Sequence, residues 1–294
     1  MIAPPFRYLA AESLSHAVDL LAAHEGSVVL AGGQSLVTAL KLDLVGPSAL
    51  VDVHRLTELR QVEAVEQGIR IGAAVTYAEM ARHPLLRQLT PSLAAASGAL
   101  VDRQVRNRGT LGGNCCLNDP TNNLPPLLAS MNATFEVHQA GRPSSVLSAD
   151  DFFLGTLWTA AAAPNLLVSV TVPAESPVTS TSMRHQLVGA DSWALARAAV
   201  TVRLDGGVVR SARVYLGAVP GSPLRLPAVE DALSGHRPGD VRETALAAFD
   251  TADVETVPDS HGSAGYRLAM ARVQLGRALS DISTPPVAHQ EVAA

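Results

Sequence analysis

The sequence predicts an α+β chain in two unequal parts, and three observations carry that reading. Short β-branched runs alternate with helical segments through the first two-thirds of the chain, with no internal repeat. A stretch rich in Pro, Ser and Thr, residues 173–182, then breaks the pattern. Beyond it stand a hairpin signal and three helical segments. Composition supports structure of this size. Of 294 residues 47% are hydrophobic and only 17% charged, which supplies real cores and excludes a disordered chain.

The elements follow in order. Leu14, Ala17, Val18 and Leu21 recur at i, i+3, i+4 and i+7, one face of a helix, with Ser13 as N-cap and Gly26 placed as a left-handed cap. Ser27–Ala31 reads as a strand, Gly32-Gly33-Gln34 as a tight turn, and Ser35–Lys41 as a second helix. Ala49–Val53 and Ile69–Ile71 are further strands. Thr76 and Glu79 have capping-box spacing, so a helix starts at Tyr77. Pro91–Leu100 is helical, Asp102–Gly109 a polar loop, and Thr110–Asn114 a second Gly-Gly turn. Phe135–His138 alternates and then meets Gly141, reading as an edge or hairpin strand, and Leu166–Val172 is the most strand-like run of all. After the break, Ala198–Leu204 and Val208–Ala218 flank Asp205-Gly206-Gly207 as a hairpin. Helices are expected at Pro227–Leu233, Val241–Phe249 and Ser263–Ile282, with a frayed tail from Ser283.

Several function classes drop out. A net charge of −5 lacks the basic footprint of a nucleic-acid binder. The two cysteines, adjacent at Cys115 and Cys116, cannot form a disulfide framework or the spaced pairs of a zinc or iron–sulfur site, and they read as buried fillers. The first residues carry no basic stretch leading into an apolar core. No window approaches the roughly 18 uncharged apolar residues of a membrane span. A soluble cytoplasmic protein is expected, with partner subunits covering part of an alanine- and leucine-rich surface. The nine histidines read as ordinary surface or core residues.

Chemistry concentrates at the two glycine pairs, Gly32-Gly33 and Gly112-Gly113. Glycine reaches positive φ and lets backbone approach a ligand, and successive N–H groups then form an anion-binding hollow. The first pair lies between a strand and a helix start, with Gln34 and Ser35 beside it. The second is flanked by Thr110 and Asn114, with Arg106 and Arg108 upstream. Two such loops suit a ligand with two phosphates. Neither matches the Gly-x-Gly-x-x-Gly fingerprint or the Walker pattern.

The runs Leu30-Ala31-Gly32-Gly33-Gln34-Ser35-Leu36 and Gln104–Asn114 resemble those of the FAD-binding medium subunits of molybdenum hydroxylases, the carbon monoxide, xanthine and N-heterocycle dehydrogenase group. Asp150–Gly155 and Val214–Val219 fit as well. The resemblance implies an FAD-binding domain of the vanillyl-alcohol-oxidase (PCMH) type in two subdomains at 1–177, a small C-terminal α+β domain with antiparallel sheet at 178–285, and a tail at 286–294. It places cofactor contacts at Val29, Leu30, Ala31, Gly32, Gly33, Gln34, Ser35 and Leu36, and at Thr110, Leu111, Gly112, Gly113 and Asn114. Leu100, Val168, Arg184 and Trp193 align with further flavin-contacting places. The family commonly has aspartate where Asn123 stands, so a contact without the charge is expected there.

The resemblance further implies an electron-transfer subunit that does no substrate chemistry itself. A large partner subunit would carry a molybdenum–pterin cofactor, and a small one two [2Fe–2S] clusters. The three would form a heterotrimer or a dimer of heterotrimers, with no nucleic acid and no metal in this chain. The substrate of the complex and the electron acceptor stay open. Two other readings are a free-standing flavin oxidase and a scaffold subunit that has lost its flavin. The residues after Ser182 are few for a substrate domain, and the intact glycines speak against a lost flavin.

Overall fold

The computed structural model describes residues 4–283 apart from 101, 190, 191, 257 and 258; the expected tail beyond Ser283 lies outside the described residues. A first lobe comprises β1 (Arg7–Ala10), α1 (Leu14–Ala23), β2 (Val28–Leu30), α2 (Leu36–Lys41) and β3 (Ala49–Asp52). Its sheet is parallel, in the order β1-β3-β2, so the turns that follow β2 and β3 leave from one edge side by side. Ser13 caps α1 by accepting the His16 N–H at 3.1 Å. The helix stops at His24 rather than at Gly26, which turns the chain two residues later at φ +72°.

The second lobe contains β4 (Val62–Val65), β5 (Gly68–Gly72), α3 (Tyr77–Arg82), α4 (Pro84–Leu89), α5 (Pro91–Gly98), α6 (Arg103–Arg108), α7 (Leu111–Leu117), α8 (Leu124–Ser130), β6 (Thr134–His138), β7 (Ser145–Ser148), α9 (Ala149–Phe152), β8 (Phe153–Gly155), β9 (Trp158–Thr159) and β10 (Leu166–Val172). Five of the strands form an antiparallel sheet, β4-β5-β10-β6-β7, with β10 central and almost wholly buried. Phe135 stacks on Phe152 at 4.3 Å and meets Phe153 edge-on at 5.2 Å, an aromatic centre for this core. The Thr76–Glu79 capping box forms as expected.

Two expectations fail here, both for local reasons. The polar segment 102–109 is not a loop but contains α6, nucleated by Asp102, whose carboxylate accepts the N–H groups of Gln104 and Val105. The second glycine pair is not a turn but lies in the first turn of α7. There Thr110 accepts the Gly113 N–H at 3.0 Å, and Leu111 and Cys115 are buried. A seven-residue helix with two glycines is held by packing and its cap, not by propensity.

The C-terminal part is an antiparallel sheet of β11 (Thr179–Leu187), β12 (Ala194–Asp205), β13 (Val208–Gly217) and β14 (Leu224–Arg225), backed by α10 (Pro227–Leu233), α11 (Arg242–Asp250) and α12 (Ala264–Ser283). Gly206 and Gly207 take φ +58° and +83° in the expected hairpin. The break at 173–182 is shorter than expected, because β11 begins at Thr179 and pairs with β12. Alternation divides β12 between two cores. Ala196, Ala198, Val200 and Val202 pack with the C-terminal helices. Arg197 and Thr201 point the other way: an Arg197 Nη donates to the Thr121 carbonyl at 3.3 Å, and Thr201 meets Ser130 at 3.2 Å. Arg213 and Tyr215 of β13 add bonds to the Ala129 carbonyl and to Asp150.

Glu136 ties three strands of the second sheet together. It accepts from Arg70 on β5 at 2.8 Å, from Ser169 on β10 at 2.7 Å, and pairs with His138 at 3.0 Å. Burial opposes its charge, but these partners win and hold its carboxyl down at about 2. A depressed carboxyl stabilises the fold above its ordinary value of 4.5, and the contribution fades as pH falls toward 2. Glu136→Gln should cost about 2 kcal/mol in urea unfolding at pH 7, and the gap to the parent should close as the titration is repeated toward pH 2.

Candidate functional site

The parallel register of the first sheet brings the Gly32-Gly33 turn beside the end of β3, and the second lobe closes over both. Gly32 touches the backbone of Arg108 directly: a Cβ there would lie 2.1 Å from the Arg108 carbonyl oxygen. Gly33 stands at φ +72°, where an L side chain costs about 1–2 kcal/mol. Beside this contact runs a groove with two lobes of about 480 and 310 Å³. Ala31, Gly32, His54 and Arg108 line both. Leu30, Gly33, Gln34, Val37 and Asp52 complete the smaller lobe. Arg60, Thr76, Glu79, Arg82, Asn107 and Thr110 help to wall the larger.

Three arginines, Arg60, Arg82 and Arg108, stand in the groove wall against two carboxylates, Glu79 and Asp52. Arg60 pairs with Glu79, while Arg82 and Arg108 have no carboxylate partner among the described residues. The backbone N–H groups of Gly32, Gly33, Gln34 and Ser35 meet no acceptor among the described residues either. Unpaired donors beside uncompensated guanidinium groups suit a phosphate-bearing ligand.

The second glycine pair works differently from its expected role. The Leu111 N–H goes to Val75, Gly112 to Ala73, Gly113 to Thr110 Oγ1, and Asn114 to the Thr110 carbonyl. None is left for a phosphate. Gly112 is needed because a Cβ would lie 2.6 Å from that of Ala73, so α7 can seat only on a glycine. What this segment offers the groove is Thr110, which stands in its wall and whose backbone N–H meets no acceptor among the described residues; Asn114 lies outside the groove lining with its Oδ1 buried. Gly113 is exposed and leaves a ligand room.

The remaining expected contacts are scattered. Val29 is half-buried against the core, Ser35 is exposed without a cap bond, and Leu36 starts α2. Leu100 packs on the core while its carbonyl accepts from Arg106. Val168 is 1% exposed and its carbonyl takes the Ala73 N–H, so its side chain is core. Asn123 spends its amide internally, accepting from the Tyr77 hydroxyl at 3.0 Å and donating to the Ala96 carbonyl at 3.3 Å. Arg184 holds Asp281 through two 2.6 Å bonds. Trp193 is 62% exposed. None of these lines the groove. Cys115 and Cys116 are free, and burial pushes the Cys116 thiol up to about 12 and that of Cys115 well above its ordinary value, so both are inert.

Sequence reasoning did not find His54, Arg60, Arg82 or Asp52, because nothing in the local pattern says that β3 ends beside Gly32. The signal available was the parallel pairing of two short strands, each followed by a polar turn.

Comparison with known proteins accords with this geometry. Residues 4–175 match the family profile "FAD binding domain in molybdopterin dehydrogenase", and residues 181–282 match "CO dehydrogenase flavoprotein C-terminal domain". The chain is 34% identical to the carbon monoxide dehydrogenase medium chain of Hydrogenophaga pseudoflava, covering 95% of this chain and 98% of that one. It is 30% identical to the glyceraldehyde dehydrogenase medium chain of Sulfolobus acidocaldarius, covering 96% and 100%. A solved structure of the Hydrogenophaga pseudoflava enzyme superposes with a TM-score of 0.91 at 34% identity, covering 96% of this chain and 98% of that one. Quinoline 2-oxidoreductase from Pseudomonas putida 86 superposes with 0.88 at 30% identity, covering 96% and 98%. The chain therefore belongs to the FAD-binding medium subunits of molybdopterin-dependent dehydrogenases, and it is an oxidoreductase subunit.

The glycines separate packing from ligand approach. Gly32→Ala and Gly112→Ala should each lose about 1–3 kcal/mol of stability by thermal melting, because backbone or core must move. Gly113→Ala, which would meet only Thr110 Oγ1 at 2.9 Å, should melt within a few degrees of the parent.

Proposed function

We propose that this chain holds FAD with its diphosphate against residues 31–35 and relays electrons to an external acceptor from [2Fe–2S] clusters in a small partner subunit. A large partner subunit with a molybdenum–pterin cofactor performs the substrate chemistry, and the three associate as a heterotrimer or a pair of heterotrimers. Residues 1–177 form the flavin-binding domain and 178–285 the C-terminal domain. The observation that carries the reading is the row of backbone N–H groups at Gly32, Gly33 and Gln34 that meet no acceptor among the described residues, set in a groove with two arginines that have no carboxylate partner among them.

Bound FAD supplies reversible electron acceptance; the protein's part is to hold and orient it. Gly32, Gly33 and Gln34 present donors to the diphosphate, Arg108 offsets its charge, and Thr110 has a hydroxyl proton free to donate while its oxygen caps α7. Among the described residues, no cluster of three or more His, Cys, Asp or Glu could hold a metal, and no helix is long and apolar enough to cross a membrane. The relatives' names cite different substrates, carbon monoxide, glyceraldehyde and nicotine, for chains of one length and kind. That pattern fits a subunit that does not select the substrate.

The purified chain, stripped and then titrated with FAD, should take up one flavin with quenching of its fluorescence. A folded preparation that ignores FAD would overturn the reading. Gly33→Val should abolish uptake while leaving the far-ultraviolet circular dichroism unchanged.

A further inference from the structure

His54 sits where the sequence shows nothing, yet the structure fixes its ring with unusual care. Its Nδ1 lies 2.7 Å from Asp52 Oδ1, and the same oxygen accepts the His54 backbone N–H at 3.0 Å. Asp52, buried at the end of β3, is held in turn by the Tyr8 hydroxyl from β1, which donates to its other oxygen at 2.5 Å. A carboxylate can only accept, so the Nδ1 proton belongs to the bond with Asp52 and Nε2 is the nitrogen left over. The ring is 44% exposed and lines both lobes of the groove, beside Gly32 and Arg108.

We propose that His54 is a phosphate ligand of the bound dinucleotide, acting as an imidazolium that bridges Asp52 and the diphosphate. The inference rests on the FAD reading above. Neutral His54, with its proton committed to Asp52, could offer a phosphate only a lone pair. Binding therefore draws a proton onto Nε2, and the proton stays there while the anion is bound. The Tyr8–Asp52 bond keeps the carboxylate in place as the second partner, so the histidine is presented rather than searched for. Other charged groups lining the groove with it are Arg60, Arg82 and Glu79 from the second lobe and Arg108 at the end of α6, while Arg55, next in sequence, acts on Tyr8. The arginines stay charged throughout the working range of pH, and Glu79 is tied to Arg60. Because the bound anion favours the protonated ring, binding takes up a proton and weakens as pH rises.

The test is calorimetric titration of FAD, and separately of ADP as the diphosphate-bearing half, into the stripped full-length chain. Runs at pH 6, 7 and 8 use buffers of different ionisation enthalpy. The parent should take up a proton on binding and lose affinity as pH rises. His54→Gln should bind about tenfold more weakly at pH 6, the worth of one charge-assisted bond, with no proton uptake and a flat profile. His54→Arg should regain affinity and keep the flat profile. Parent-like affinity and parent-like proton uptake in His54→Gln would overturn the role of His54 while leaving FAD binding intact. Failure of the parent to bind FAD would instead remove the reading on which it rests.

Discussion

The contact between Gly32 and the Arg108 carbonyl governs the rest of the structure. Two lobes with separate sheets meet there backbone to backbone, and the missing Cβ is what lets them meet. Every property of the groove follows from that approach. It brings the backbone donors of Gly32, Gly33 and Gln34, which meet no acceptor among the described residues, into the same groove as Arg108 and Thr110. It also puts the end of β3, with Asp52 and His54, opposite the start of α3. Gly112 repeats the device one step away, seating α7 on Ala73. The glycines here are first of all joints between packed surfaces, and the room they leave for a ligand is a result of how those surfaces close.

Much of this fold was legible in the sequence. The helix built on Leu14, Ala17, Val18 and Leu21, the capping box at Thr76 and Glu79, the strand Leu166–Val172 and the hairpin at Asp205-Gly206-Gly207 all formed where their patterns placed them. Those elements carry their signal locally, as periodicity or as turn chemistry. The failures lie where tertiary contacts decide. Helix α6 has no apolar face to betray it, only an aspartate at its start. Helix α7 violates helix propensity with two adjacent glycines and exists because Thr110 caps it and Leu111 and Cys115 are buried.

The site was legible in part, and for the same reason. The first glycine pair lies in the groove as a turn with free donors, since a strand followed by Gly-Gly is a local signal. The second pair reads the same in sequence and behaves differently, because Ala73, Val75 and Thr110 take its N–H groups. His54 could not be found without the parallel pairing that sets two remote turns side by side, nor Arg82 without the closure of α3 over them. Asn123 illustrates the opposite case. Its position was readable, but Tyr77 and Ala96 occupy its amide, and neither neighbour is near it in sequence.

Helix α8 is buried along its whole length, and part of its cover comes from β12 and β13, synthesised some seventy residues later. The order of translation therefore matters. When the ribosome has delivered only the two flavin lobes, α8 still presents a bare apolar flank to water. Its loop, residues 118–123, lacks the brace that Arg197 will supply to Thr121. The last sheet to emerge thus completes the cover of α8 and braces its loop, and the two recognisable halves of this polypeptide share that packed surface.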